Sequence, residues 1–450
     1  MTDAPRDATP QDAPRDASPR DAEAAGVAPG FRAVALGDVR PARSRHAGRR
    51  SAVALADDLV VVGMTDGDVV AYDRDSLDER WRAERPGAGE ATAVVAAAAF
   101  GGDAVAVGER GPAGRVRVYD RETGERRWEY ATAADVGRPQ RETRFFRPFV
   151  AALATDGDRL YAASRRYERE SSEQGSAERA FESVVYAFDA GGEVAWSFAA
   201  DASPIALDVA DDRVAVAYNR CPGAHQDGLV VLDAASGVER WRWDPGTDGG
   251  RRVGDVSLVG DGAVVASHGD HCAYRLRGDG AEAWCADVAG ERRVDGETLY
   301  AYPNHVHATS DGAVVVTGNT YSTSDDRETG ALHPREHAAV GLTGDGEVAW
   351  TADVGGFASE LGAVGTAVVV PGAQHFRTRD ADVHGLRAFD VADGHAWTLE
   401  TPGIVAAVDA DDGAVTDGEA AVAAVTEPVA YHDDDRERGS YRLVLGDRNA

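Results

Sequence analysis

Three features of the 450-residue sequence predict an all-β fold, an eight-bladed propeller of four-stranded blades. One motif recurs seven times, the spacing between copies suits one small sheet each, and helical periodicity is missing between them. The motif is an apolar strand ending in Tyr, Phe or Leu, mostly followed by Asp, then an Asp- and Gly-rich turn and a strand carrying one Trp. Its copies are "VVAYDRDSLDERWRA" (69–83), "VRVYDRETGERRWEY" (116–130), "VVYAFDAGGEVAWSF" (184–198), "LVVLDAASGVERWRW" (229–243), "CAYRLRGDGAEAWCA" (272–286), "AAVGLTGDGEVAWTA" (338–352) and "GLRAFDVADGHAWTL" (385–399). The tryptophans Trp81, Trp128, Trp196, Trp241, Trp284, Trp350 and Trp397 are 47, 68, 45, 43, 66 and 47 residues apart. Their recurrence at one strand position is what packing between neighbouring sheets requires.

The elements follow in order. In the first unit "SAVALADD", "LVVVGM", "DVVAYD" and "ERWRAE" give strands A to D, separated by Asp-Asp or Asp-Gly turns. Short runs rich in Val and Ala repeat this scheme in each later unit. After Trp397, residues 404–445 supply A ("IVAAVDADD"), B ("EAAVAAVTE") and C ("YRLVLGD") but no D. The unpaired N-terminal "FRAVALGD" (31–38) fills that place and closes the ring, which makes eight blades; without it the count is seven. A closed ring leaves only short edges. Residues 29–450 then form one domain. Residues 1–28 repeat "DAPRDATPQ" as "DAPRDASPR", a Pro-rich charged tract expected to be a disordered tail.

The second copy, with Tyr119, Asp120, Thr123, Gly124 and Trp128, resembles the repeat of PQQ-like propellers. That superfamily includes quinoprotein dehydrogenases and BamB-like scaffold lipoproteins of outer-membrane assembly, and the resemblance covers residues 31–446. It implies the propeller fold but leaves function open, because one propeller hosts catalysts and scaffolds alike. For a dehydrogenase it also implies a quinone stacked on an adjacent Cys-Cys pair, with calcium on carboxylate and amide ligands. Here Cys221, Cys272 and Cys285 are never adjacent, so no cofactor is expected and PQQ is disfavoured.

Charge narrows the partners. The formal charge is -30, and all 47 basic residues are arginine. This balance argues against binding nucleic acid through a general basic surface. It resembles the composition of proteins from salt-accumulating halophiles, where dense carboxylates keep a surface hydrated. No stretch approaches the roughly 18–20 apolar residues of a membrane span, and no apolar h-region follows Met1. A monomeric cytoplasmic protein is expected. Three cysteines, with Cys272 and Cys285 on the two arms of one hairpin, point to free thiols. The "HPREH" of residues 333–337 has the letters of a zinc-protease motif, but Pro334 bars the helix that motif needs.

Strand alternation puts the A–B and C–D turns on one face and the B–C and D–A loops on the other. The first set is short. The second carries the long insertions, 164–183 and 319–338, and most histidines, among them His46, His375 and His432. Long loops on a rigid scaffold are where binding usually sits. Arginines also gather there, a local reversal of sign. Arg49, Arg50, Arg144, Phe145, Phe146, Arg147, Arg251 and Arg252 are therefore the candidate ligand- and partner-binding residues, suited to a protein partner or an anionic small molecule. The alternative is a ligand-binding or metal-dependent enzyme at the channel mouth. There His268 and His271 of "HGDHC", with His305 and His307 of "NHVH", would offer imidazoles to a divalent metal such as zinc. No catalytic residue is assigned. A non-catalytic scaffold is the leading expectation. The arginines of 164–183 are expected to form surface ion pairs with the acids around them.

Overall fold

A computed structural model describes residues 30–43, 50–85, 93–171, 177–247, 250–324, 329–373, 380–411, 421–431 and 436–447. The predicted N-terminal tail lies outside the described residues. The chain is all-β, built of antiparallel sheets most of which have four strands. The first sheet has the strands Ala52–Ala56, Leu59–Gly63, Val69–Asp73 and Glu79–Ala83, matching the predicted A to D. Later units span 93–131, 149–200, 203–243, 253–287, 297–353 and 362–400. A single residue pair, Phe149 with Arg110, joins the second and third into one larger sheet. The strand Arg292–Val294 adds a fifth member to the sixth.

The chain ends meet as the sequence predicts. Phe31–Gly37 pairs antiparallel with Tyr441–Asp447, which pairs with Ala421–Glu427, which pairs with Ile404–Asp411. Apolar clusters lie between successive sheets. One joins Leu36, Tyr441 and Leu443 of the last sheet to Leu55 and Val60 of the first. Another joins Leu386 and Leu399 of the seventh to Val405 and Val444 of the last.

The repeated motif is a latch between units. Each of five tryptophans donates its indole N–H to a backbone carbonyl in the C–D turn of the next sheet: Trp81 to Arg121 at 2.7 Å, Trp128 to Ala190 at 3.1 Å, Trp196 to Ala234 at 2.9 Å, Trp284 to Gly344 at 2.8 Å and Trp350 to Val391 at 3.1 Å. The turn presents a glycine to the ring. Gly237 has φ +71°, and a Cβ on it would stand 2.6 Å from Trp196. Only glycine meets both demands. The preceding Asp holds the turn: Asp120 accepts the Glu122 and Thr123 N–H groups at 3.1 and 2.9 Å, while its other oxygen pairs with Arg127 at 2.7 Å. Asp73 with Arg80 and Asp233 with Arg240 repeat that ion pair. Trp241 is buried against Gly280 of the next turn without that bond, and Trp397 packs on Phe31 with ring centroids 5.8 Å apart.

Candidate functional site

The A strands are the inner edges of their sheets, so their outward N–H groups have no ladder partner. Carboxylates from neighbouring units supply one. Asp208 accepts the Leu258 N–H at 2.5 Å, Asp255 that of Val306 at 3.0 Å, Glu360 that of Val408 at 2.7 Å and Asp409 that of Leu55 at 2.8 Å. Burial pushes the Asp208 and Asp409 carboxyls up to about 6, against the lowering effect of these bonds. These inner acids escaped notice in the sequence because their letters match the turn aspartates nearby.

The inner strands enclose a cavity of about 1270 Å³. Nine arginines line it, all from residues 110–251. The remaining lining includes Tyr302, Tyr321, Phe357, Leu361 and Ile404. The arginines are thus confined to one part of the lining, within a chain of strong negative charge.

Among the predicted binding residues, Arg144, Phe145, Phe146, Arg147 and Arg251 line this cavity. Phe145 is 62% exposed, while Phe146 is buried against Tyr167, their ring centroids 5.1 Å apart. Arg251 stacks over Tyr302 at 4.5 Å. Arg252, the next residue on the same extended chain, turns the other way, pairs with Asp244 at 2.7 Å and is buried. Arg50 pairs with buried Glu427 at 2.6 Å, as a tie between the two ends of the ring rather than a lining residue. Arg49 lies outside the described residues, as do His46, His375 and His432.

The four metal candidates are not brought into one coordination set. His268 is buried with Nδ1 2.8 Å from the Asn219 side-chain amide, and burial holds its pKa well below the usual histidine value. His271 stacks on Tyr300 at 4.3 Å, away from the cavity lining, and burial lowers it to about 4. His305 and His307 line the cavity, but their Nε2 atoms reach the backbone oxygens of Ala358 at 3.2 Å and Gly365 at 2.8 Å. Among the described residues no three His, Cys, Asp or Glu side chains are grouped to hold a metal ion. In "HPREH", His333 bonds the Gly290 oxygen and His337 the Asn319 amide, both at 2.9 Å. The cysteines are free thiols; Cys221 is buried, Cys272 half-buried and Cys285 exposed, and none lines the cavity. They do not fit the quinone-stacking pair that the repeat's resemblance implies.

The 164–183 insertion makes one ion pair of the expected kind and also lines the cavity. It is a long hairpin, Leu160–Ser171 with Ala177–Phe188, whose Arg165, Tyr167, Arg169, Arg179 and Phe181 all line the cavity. Arg166 and Glu168 form an ion pair outside that lining, with Glu182 close by. The strand period thus puts Arg165, Arg169 and Arg179 on the lining face, while Arg166 and Glu168 pair off it. That alternation was the available signal.

The family model described as outer membrane protein assembly factor BamB matches residues 41–183 and 177–331. A comparison with curated proteins finds no match. Among solved structures, a quinohemoprotein alcohol dehydrogenase from Pseudomonas putida aligns at TM-score 0.57 and 11% identity, over 93% of this chain and 76% of that one. The Comamonas testosteroni quinohemoprotein alcohol dehydrogenase aligns at 0.55 and 12% over the same shares. BamB from Moraxella catarrhalis aligns at 0.44 and 15%, over 77% of this chain and 81% of that one. At 11% and 12% identity the likeness to the two dehydrogenases speaks for the fold alone. Among the described residues no helix is long and apolar enough to cross a membrane. With its latch repeated from sheet to sheet and the family match spanning most of its length, this chain belongs to the PQQ-like repeat family whose model is described as outer membrane protein assembly factor BamB.

Proposed function

We propose that the protein is a non-catalytic binding or assembly scaffold that docks a protein partner on its B–C and D–A loop face, working in the cytoplasm of a salt-accumulating cell. The observation that carries this reading is the reversal of charge at the cavity mouth, where arginines stand beside exposed and stacked aromatic rings. Arg and aromatic residues dominate interface hot spots, and a net acidic chain gathers them in one place only for a reason local to that place. The ring is read as eight blades in one domain. In support, apolar clusters bridge each neighbouring pair of sheets, and the N-terminal strand completes the last sheet.

The test is affinity capture of the tagged full chain from a halophilic host at native salt, with protein identification and metal analysis on one eluate. The expected result is a stoichiometric partner, without metal, that is lost on Arg144→Ala combined with Arg147→Ala. About one equivalent of bound metal and no partner would overturn the reading in favour of a metal-dependent site.

A further inference from the structure

Arg169 and Arg179 stand directly opposite each other on the two strands of the 160–188 hairpin, and both line the cavity. Like charges in that position destabilise a strand pair. Beside them Arg220 and Arg251 form a backbone bridge between adjacent units and line the same cavity. Among the described residues no carboxylate forms an ion pair with any of these four. Burial first, and then the Arg251 and Arg179 charges, push Arg220 down to about 10. A group of like charges, with Arg220 and Arg251 half-buried, gains stability when something negative enters it.

The shape of the site says what that is. Arg179, Phe181 and Arg220 also line a side recess of about 330 Å³ together with Pro222. The cationic wall is therefore shared between two hollows, which an extended chain can bridge and a compact anion cannot. Tyr302 adjoins it, stacked under Arg251, and the rest of the cavity lining carries Phe357, Leu361 and Ile404. The occupant that fits carries carboxylates along one edge and apolar side chains along the other.

We infer that Arg169, Arg179, Arg220 and Arg251 clamp the carboxylates of an acidic, apolar-interleaved segment of the partner protein, laid from the side recess across the cavity mouth. The inference rests on the scaffold reading and names what that scaffold recognises. Guanidinium forks bind carboxylates in pairs of parallel hydrogen bonds, so several arginines on one wall read a run of acids rather than a single charge.

The test uses the full chain and a fluorescein-labelled peptide of alternating Glu and Leu, followed by fluorescence anisotropy. A Lys–Leu peptide and free citrate serve as comparisons. The Glu–Leu peptide binds and the Lys–Leu peptide does not. Arg179→Gln and Arg220→Gln each weaken binding by about tenfold, the value of one charge-assisted pair, and citrate competes only weakly. Arg126→Gln, on the outer strand Arg126–Ala131 and away from the cavity lining, leaves binding unchanged. Thermal melts establish that each variant is folded, and Arg169→Gln, at an exposed position, repeats the test should Arg220→Gln not fold. Equal peptide affinity in wild type and folded variants would overturn the inference, as would citrate binding more tightly than the peptide, which marks a small-anion site. Natural partner captured equally by wild type and by Arg179→Gln with Arg220→Gln would sink this inference and leave the scaffold reading standing.

Discussion

Replacing Leu36 with Ala tests whether the N-terminal strand closes the ring. Leu36 is 7% exposed and packs with Leu55, Val60, Tyr441 and Leu443, so its side chain touches both the last sheet and the first. Its strand is the outer edge of that sheet, paired on one side only, by a register running from Phe31 with Gly446 to Gly37 with Tyr441. An edge site collapses more easily than a central one, which places the loss at the low end of buried Leu→Ala changes, about 2–3 kcal/mol. Urea unfolding at fixed salt, followed by tryptophan fluorescence, reads this as a lowered midpoint with an unchanged slope. Ala35→Ser, at the exposed neighbouring position, should stay within about 0.5 kcal/mol of wild type. If Leu36→Ala matched Ala35→Ser, the strand would not be docked in the ring and the closure argued here would be wrong.

Other substitutions probe the latch, the inner wall and the buried tryptophans. Gly237→Ala should cost more than the about 1–2 kcal/mol of a left-handed backbone, because the new Cβ strikes Trp196; Gly157→Ala, at φ +95° with nothing within 4 Å, should cost only the backbone part. Equal losses in thermal melts would show that the ring does not rest on the turn. Trp241→Ala should lose about 3–5 kcal/mol and Trp128→Ala less, since Trp241 is buried and Trp128 half-buried; an inverted order in urea midpoints would refute the packing. Asp208 and Asp409 have folded pKa values raised from 3.8 to about 6, so between those limits the folded state binds more protons than the unfolded one. Their contribution therefore favours the folded state at low pH and is lost as pH rises through about 6. Asp409→Asn should flatten the stability profile across that window, and profiles that stay parallel to wild type would contradict the burial assigned to it.

Much of the fold was legible because the repeat is written in single letters with fixed duties. Trp, the turn Gly and the turn Asp each do one job that no other residue does as well, so their recurrence maps directly onto sheets. Arg144 to Arg147 were legible as rim residues because they sit in a loop joining two units. Arg251 and Arg252 were not separable, since adjacent residues of an extended chain face opposite ways and the sequence does not say which faces inward. Arg169 and Arg179 were hidden by their acidic neighbours, and reading them required knowing that the insertion extends both strands of a hairpin rather than forming an open loop.

The acids and bases of the cavity have different tasks. Asp208, Asp255, Glu360 and Asp409 lie in its wall, and each spends an oxygen on a backbone N–H of the next unit, stapling edges that would otherwise be unsatisfied. The arginine wall above them has no such structural debt to the strands: Arg169 and Arg179 face each other, and Arg220 faces Arg251, in arrangements that cost stability in the absence of a counter-charge. A wall whose polar groups are committed offers little to a substrate entering from above, whereas a rim whose charges repel one another gains from any chain that brings carboxylates to it. On the proposed reading recognition falls to the rim, whereas cohesion falls to the wall, whose acids hold the edge of the next unit.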